Sequence, residues 1–360
     1  MTQRQLELCI VSHPVHVGYL SDRLMPPGCL VALLVTPAKA VLVAPASHGG
    51  AVAHHLQRVA YEDHSLERTV NPATEALQAF EAALATLDKG VVRVGLEPSH
   101  LPAACLDALR RVLGVCSLED VGPALRRQRR VKDEVEVQAI QQAVATCDRI
   151  FQAIEATIHG GCTELDVYLA ALRVVACDSA GPAVLDGDFV SGPRAEEIGG
   201  PPTARALQPG ELLIVDVYPR IGAYWADCTR TYVVGEPSQA LLDRHALLEE
   251  ALEAGEQALE PGRPAREVYE AVKGVLDRAG VGDYFPHHAG HGVGLTASEE
   301  PRLIPGSRER LAEGMVVTLE PGLCIPGQGG MRLEDNFLIT AGGCRCLSHY
   351  PRRLVPLPSD

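Results

Sequence analysis

The chain has 360 residues, 46% hydrophobic and 22% charged, enough to bury the cores of two ordinary domains. Its 46 acidic against 32 basic side chains give a formal charge of -14, which argues against nucleic-acid partners, since phosphate charge must be offset by Lys and Arg. Apolar runs are short and interrupted, and MTQRQLELCIVSHPV lacks an apolar signal core, so no membrane association and a cytoplasmic location are expected.

In chain order, LELCIV (6–11), LVALLV (30–35), AVLVA (40–44) and VVRVGLE (91–97) read as strands, and the stretches 77–88 and 101–114 as helices. That is an α/β domain. The basic run in RRQRRVKDEVEVQ reads as a solvated linker and helix face. A helix from Asp133 to about Ile158 carries Val137, Ile140, Val144, Cys147, Phe151 and Ile154 near helical spacing and opens a second domain. Thr163 and Asp166 form a possible capping box, and helices are expected over Ser238–Leu259 and Pro264–Ala279. Between and after them lie strand pairs: LLIVDVY with YWADCTRTYVV, and MVVTLEPGL with MRLEDNFLIT. The second domain is therefore α+β, with helices backing an antiparallel sheet in two similar halves. Eleven cysteines without a CxxC pair read as reduced thiols, Cys344 and Cys346 among them.

The chemistry falls on those hairpins. Asp216 lies in an apolar strand and Asp227 in the returning one, so the two carboxylates can face each other across the ladder. One account needs no cation: Asp227 pairs with Arg230, and Asp216 caps a turn. Burying two uncompensated carboxylates, however, costs several kcal/mol, and they repel. Glu320 in VVTLEPG and Glu334 in MRLEDN carry the same penalty. With His291 in AGHGVG they make one imidazole and four carboxylates, a set suited to two divalent ions about 3.5 to 4 Å apart with bridging carboxylates and a bridging hydroxide. Hard oxygen ligands favour Mn²⁺, with Co²⁺, Zn²⁺ or Fe²⁺ able to occupy the same cage.

The order of these five residues, within DCTRT, GHGVGL, TLEPG and RLEDN, resembles the superfamily of prolidases, aminopeptidases P and methionine aminopeptidases, with its pita-bread catalytic domain. VHVGYLSD (15–22) and the RVKDEVE helix start are similar to the creatinase-type two-domain members, prolidases and aminopeptidases P. The resemblance implies an α/β creatinase-like domain over 1–124, a pita-bread domain over 125–360, and a homodimer. It further implies that Asp216 holds one metal, that His291 and Glu320 hold the other, and that Asp227 and Glu334 bridge. Glu320 would also shuttle the proton, and Arg332 would orient the site. The implied reaction is hydrolysis, by a metal-bridging hydroxide, of the Xaa-Pro bond of dipeptides or at the N-terminus of short peptides.

Two positions depart from the pattern. Ser298 stands seven residues after the metal histidine, where the family's peptidases carry a second His, and Gly199 stands where another is expected after SGP. His287, four residues before His291, matches a substrate-pocket His of aminopeptidases P. Losing one oxyanion donor costs about 10² to 10³ in turnover. Ser298 retains a short neutral donor, and His287, His288, Tyr224 and Arg332 are candidates to fill in. Trp225 reads as strand packing, and the EEIGGPPT loop as a cover over the substrate. A hydrolase of a non-peptide amide or cyclic amidine, or a non-catalytic module keeping the fold, are the alternatives.

Overall fold

The computed structural model describes residues 1, 4–26, 28–48, 55–87, 90–114, 117–179 and 181–359, and the chain forms two compact units, Met1–Gln128 and Arg129–Asp360. The first runs β1 (Leu8–Val11), α1 (Pro14–Ser21), β2 (Ala32–Val35), β3 (Ala40–Pro45), β4 (Leu56–Tyr61), α2 (Pro72–Ala85), β5 (Arg93–Leu96), α3 (Ala103–Leu113) and β6 (Ser117–Asp120), followed by α4 (Gly122–Arg130). Its sheet has the order β4-β3-β2-β1-β5-β6. Strands β4 and β6 lie outside the expected set because they are edges, partly exposed, without the apolar run that marks an interior strand. The helix expected over 77–88 starts earlier: Asn71 caps it by accepting from the Ala73 and Thr74 N–H groups, and Pro72 takes the first turn. Its expected last residue, Asp88, lies outside the described residues.

The second unit opens with α5 (Glu134–Thr157), capped by a reciprocal Asp133–Glu136 box, and all six residues expected on its apolar face are buried. The basic run before it is less solvated than its composition suggests. Arg129 and Lys132 are each 6% exposed and both grip the buried Glu299, at 3.0 and 2.5 Å. A carboxylate in that setting needs the cations, and they follow it inside. Helix α6 (Glu164–Asp178) carries the Thr163–Asp166 capping box.

Then come β7 (Val184–Ser191), β8 (Leu212–Ile221), β9 (Tyr224–Trp225), β10 (Cys228–Val234), α7 (Gln239–Gln257), α8 (Ala265–Arg278), β11 (His291–Gly292), β12 (Glu299–Arg302), β13 (Val316–Leu319), β14 (Gly322–Ile325), β15 (Gly329–Arg332), β16 (Asp335–Thr340), β17 (Gly343–Cys346) and β18 (Val355–Leu357). They form sheets β18-β10-β8-β7 and β12-β11-β13-β16-β17, a β14-β15 ribbon, and β9 paired to β8. All pairings in this unit are antiparallel except β10–β18. Helices α5 and α6 share one apolar core with β8 and β10, and α7 and α8 share another with β13 and β16. The unit is thus α+β, two helices and an antiparallel sheet in each half. Among the described residues no helix is long and apolar enough to cross a membrane.

Candidate metal centre

The registers of the two sheets bring the acids together. Asp216 lies inside β8, with Asp188 of β7 as its partner on one side and Thr229 of β10 on the other. Asp227 precedes β10, two residues from Thr229, so it is diagonal to Asp216 on the same face rather than directly opposite. Glu320 and Glu334 sit just beyond the last paired residues of β13 and β16, Leu319 and Asp335, at strand ends rather than within strands. All four are buried, at 2, 4, 5 and 1% exposure.

Their surroundings leave them short of positive charge. One oxygen each of Asp216, Asp227 and Glu334 is buried without a hydrogen-bond partner. Burial pushes the Asp216 carboxyl up to about 6, against the pull of Arg332. Burial, followed by the neighbouring carboxylates, pushes Asp227 and Glu334 well above the usual range. For Glu320 burial also raises, but the close His288 ring and the other nearby imidazoles outweigh it and the net shift is downward. Arg230 does not relieve the cluster. Its guanidinium pairs with Asp335 at 2.8 Å, so the cation-free account, in which Arg230 serves Asp227, does not hold.

His291 completes the set. Its Nδ1–H donates to the Gly292 carbonyl at 2.9 Å, which leaves Nε2 as a lone pair 3.3 Å from Asp227 Oδ2 and 3.6 Å from Glu320 Oε1. A ring held by its far nitrogen in this way is prepared as a metal ligand. Donor atoms of Asp227, His291 and Glu334 all lie within 4.8 Å of one another, as do those of His287, His288 and Glu320. Orphaned carboxylate oxygens, an aimed imidazole and mutual repulsion are what divalent cations would relieve, so the residues present fit such ions.

The remaining candidates separate. His287 is half-buried with its ring turned inward, its Nδ1–H donating to the His288 carbonyl at 2.8 Å, and desolvation of the ring lowers its pKa to about 4. His288 brings Nδ1 to 3.1 Å from Glu320 Oε1. Arg332 Nη2 donates to Asp216 at 2.7 Å and to Asp188 at 3.1 Å. Ser298 is exposed, and no hydrogen bond or ion pair among the described residues joins it to the acids; only its carbonyl is engaged, by Thr296. Tyr224 donates to Glu136, and Trp225 packs on the core beside α5. Cys344 and Cys346 are free thiols turned to the Glu256 and Ser348 carbonyls.

Sequence reasoning missed three contributors. Thr229 donates to Glu334 at 2.7 Å, Tyr218 donates to Asp216 at 2.9 Å, and Asp188 faces Asp216. The first two lie at alternate positions from recognised acids along their strands, which is the signal that would have found them. The loop carrying Gly199 is anchored by Glu164, a fully buried carboxylate that accepts from Ser191 N and Oγ, Thr203 N and Oγ1, and Arg194.

A pita-bread fold with an acid cluster of this kind between its halves is the architecture of a metallopeptidase. The chain belongs to metallopeptidase family M24, whose model matches residues 138–341, and the Creatinase/Prolidase N-terminal domain matches residues 1–131. A probable dipeptidase PepE of Mycobacterium tuberculosis is 35% identical over 268 residues, covering 72% of this chain and 68% of that protein. A Xaa-Pro dipeptidase of Pyrococcus horikoshii is 31% identical, covering 74% of this chain and 76% of the relative. The solved prolidase from Pyrococcus horikoshii OT3 superposes with a TM-score of 0.84 at 26% identity, over 99% of this chain and 97% of that one. The expectations of a two-domain prolidase-type fold and of a hydrolase of the metallopeptidase class are met, and the family implies divalent metal ions and a peptide substrate.

Proposed function

We propose that this enzyme hydrolyses the Xaa-Pro bond of dipeptides or at the N-terminus of short peptides. We assign Asp216, Asp227, His291, Glu320 and Glu334 to hold two divalent ions, Mn²⁺ foremost. The observation that carries this reading is a cluster of four buried carboxylates, three with an orphaned oxygen, in which Asp227 and Glu320 lie 3.3 and 3.6 Å from an imidazole already oriented by its far nitrogen. Relatives named Xaa-Pro dipeptidase support the choice of proline. Bound there, the ions would polarise the scissile carbonyl and make a water nucleophilic near neutral pH.

The chain's own residues do the rest. Glu320 takes the proton of the attacking water and passes it to the leaving nitrogen, with His288 Nδ1 at 3.1 Å holding its carboxylate in place. His287, neutral and with its Nδ1–H already donated to a carbonyl, presents an acceptor at Nε2, so it binds a substrate N–H rather than an oxyanion. Arg332 positions Asp216. Gly199 and Ser298, standing where imidazoles are expected, offer a developing oxyanion no charged donor.

The test is hydrolysis, with and without Mn²⁺, of Xaa-Pro dipeptides, Xaa-Pro-Yaa tripeptides and matched peptides without proline. Cleavage confined to a proline class and dependent on metal is the expected result. Silence across the panel in protein carrying two ions would instead favour a non-peptide amide, the reading to which the two missing imidazoles lend weight.

A further inference from the structure

Of the four cluster acids, Asp216 stands apart. Donor atoms of Asp227, His291 and Glu334 gather within 4.8 Å of one another, and so do those of His287, His288 and Glu320, but among the described residues Asp216 belongs to neither group. Its service to an ion therefore depends on how its carboxylate is turned. Oδ2 accepts from the Tyr218 hydroxyl at 2.9 Å and from Arg332 Nη2 at 2.7 Å, while Oδ1 is buried without a partner. The two donors hold one oxygen and leave the other for a cation.

Tyr218 reaches this place from β8 itself. It lies two residues beyond Asp216, so both side chains leave the strand on one face. Pairing with β10 runs from Asp216–Thr229 to Val217–Cys228, and the Ala226 N–H donating to the Pro219 carbonyl at 3.2 Å continues it, which sets Tyr218 against Asp227. The hydroxyl has a single proton to give, and Asp216 holds it at the shorter distance, with Asp188 Oδ2 at 3.5 Å. The second donor is divided: Arg332 Nη2 also meets Asp188 at 3.1 Å, and Nη1 donates to the Ile198 carbonyl at 3.2 Å. The other end of the cluster draws on different groups. There His287 and His288 lie beside Glu320, and Arg302, the β12 register partner of His291, acts on the charge of that imidazole. The Tyr218 hydrogen bond thus bears on the Asp216 end alone.

We propose that Tyr218 is a positioning residue for one of the two ions: its hydroxyl fixes the Asp216 carboxylate with Oδ1 free, and so strengthens binding of the ion that Asp216 holds without strengthening the one on His291 and Glu320. The inference deepens the two-ion reading and rests on it. Thr229, donating to Glu334 at 2.7 Å, plays the corresponding part for an acid that bridges both ions in the same assignment, and so supplies the contrast.

The experiment titrates Mn²⁺ calorimetrically into the chelator-stripped full chain, for the wild type, Tyr218→Phe and Thr229→Val. In parallel it measures the Mn²⁺ concentration that half-activates cleavage of an Xaa-Pro peptide. The wild type is expected to take up two ions. Tyr218→Phe, which deletes one hydroxyl and keeps the ring, should weaken one ion by about 10- to 100-fold and leave the other within about threefold. Thr229→Val should weaken both. The half-activating concentration of Tyr218→Phe should rise in step with its weakened site. Two unchanged affinities in Tyr218→Phe, or equal losses at both sites, overturn the inference. So does a fall in rate at saturating Mn²⁺ with both affinities intact, which would put the hydroxyl on the substrate. Fewer than two ions on the wild type overturns the two-ion reading and the inference together. The expected affinities without any peptide cleavage overturn the peptidase reading and leave the role of Tyr218 standing.

Discussion

Glu334 and Asp335 are neighbours in sequence, both about 1% exposed, and they live in opposite circumstances. Asp335 accepts from Arg230 at 2.8 Å and from Arg352 at 2.6 Å. Arg230 in turn spends its remaining N–H groups on the carbonyls of Thr229, Glu334, Tyr350 and Pro351. That network is complete, ties the two halves of the second unit together, and asks for nothing further. Glu334 has one oxygen on Thr229 and the other on no partner, with three more acids around it. The contrast separates a buried charge that builds the fold from one kept waiting for a ligand: the first has every polar atom paired, the second does not.

Removing an acid from each region should give opposite phenotypes. Asp227→Ala or Glu334→Ala is expected to lower turnover by about 10³ or more. Each should also abolish stoichiometric Mn²⁺ binding, and raise the melting temperature of chelator-stripped protein by relieving repulsion. A loaded, active variant at either position would erase the contrast. Arg230→Met should instead cost about 3 to 5 kcal/mol in urea unfolding, because it leaves Asp335 buried against half its partners. Much of that loss should return in Arg230→Met/Asp335→Asn, and a single variant as stable as the wild type would mean the network is ornamental.

A smaller effect tests the completed region through pH. Burial, aided by the charge of Arg230, lowers the His245 pKa from 6.5 to about 4, so the folded chain keeps this imidazole neutral. The unfolded chain takes up a proton below about 6.5, so the stability contributed by neutral His245 is intact above that pH and is lost as pH falls toward 4. The loss is on the order of 1 to 3 kcal/mol, and His245→Leu should flatten the acid limb of the stability profile by that amount. An unchanged limb would show that His245 does not titrate with unfolding. The smallest change is expected at Ser298, whose exposure predicts a stability shift within about 0.5 kcal/mol for Ser298→His. A changed rate or peptide preference would place residue 298 at the substrate, and an identical profile would place it outside.

An acid in an apolar run is conspicuous, and this is how Asp216, Asp227, Glu320 and Glu334 stood out in the sequence; the fold sets them within electrostatic reach of one another. Their partners were harder to read. Arg230 was matched to Asp227 by proximity in sequence, but its true partner lies 105 residues away, a pairing that only the meeting of two sheets creates. Asp188 lies in β7, in a half of the strand that is only half-buried and lacks the apolar run that marks an interior strand. Glu164 resembled an ordinary acid in the first turn of a helix, favoured there by the dipole, and its reach to Ser191 and Thr203 could not be inferred from spacing. For the fold the division is similar: long helices announced themselves by periodicity, and the polar edge strands β4 and β6 did not.

The Glu164 anchor makes the segment from Ser191 to Thr203 a cassette. Its two ends are bolted to one carboxylate on α6, so the path between them is set independently of the side chains that hang from its middle. Residues 196 to 198, whose side chains are exposed or half-buried, can then be rewritten to retune what the enzyme accepts while the frame stays put, which makes this segment the place to begin when redirecting the enzyme to new peptides.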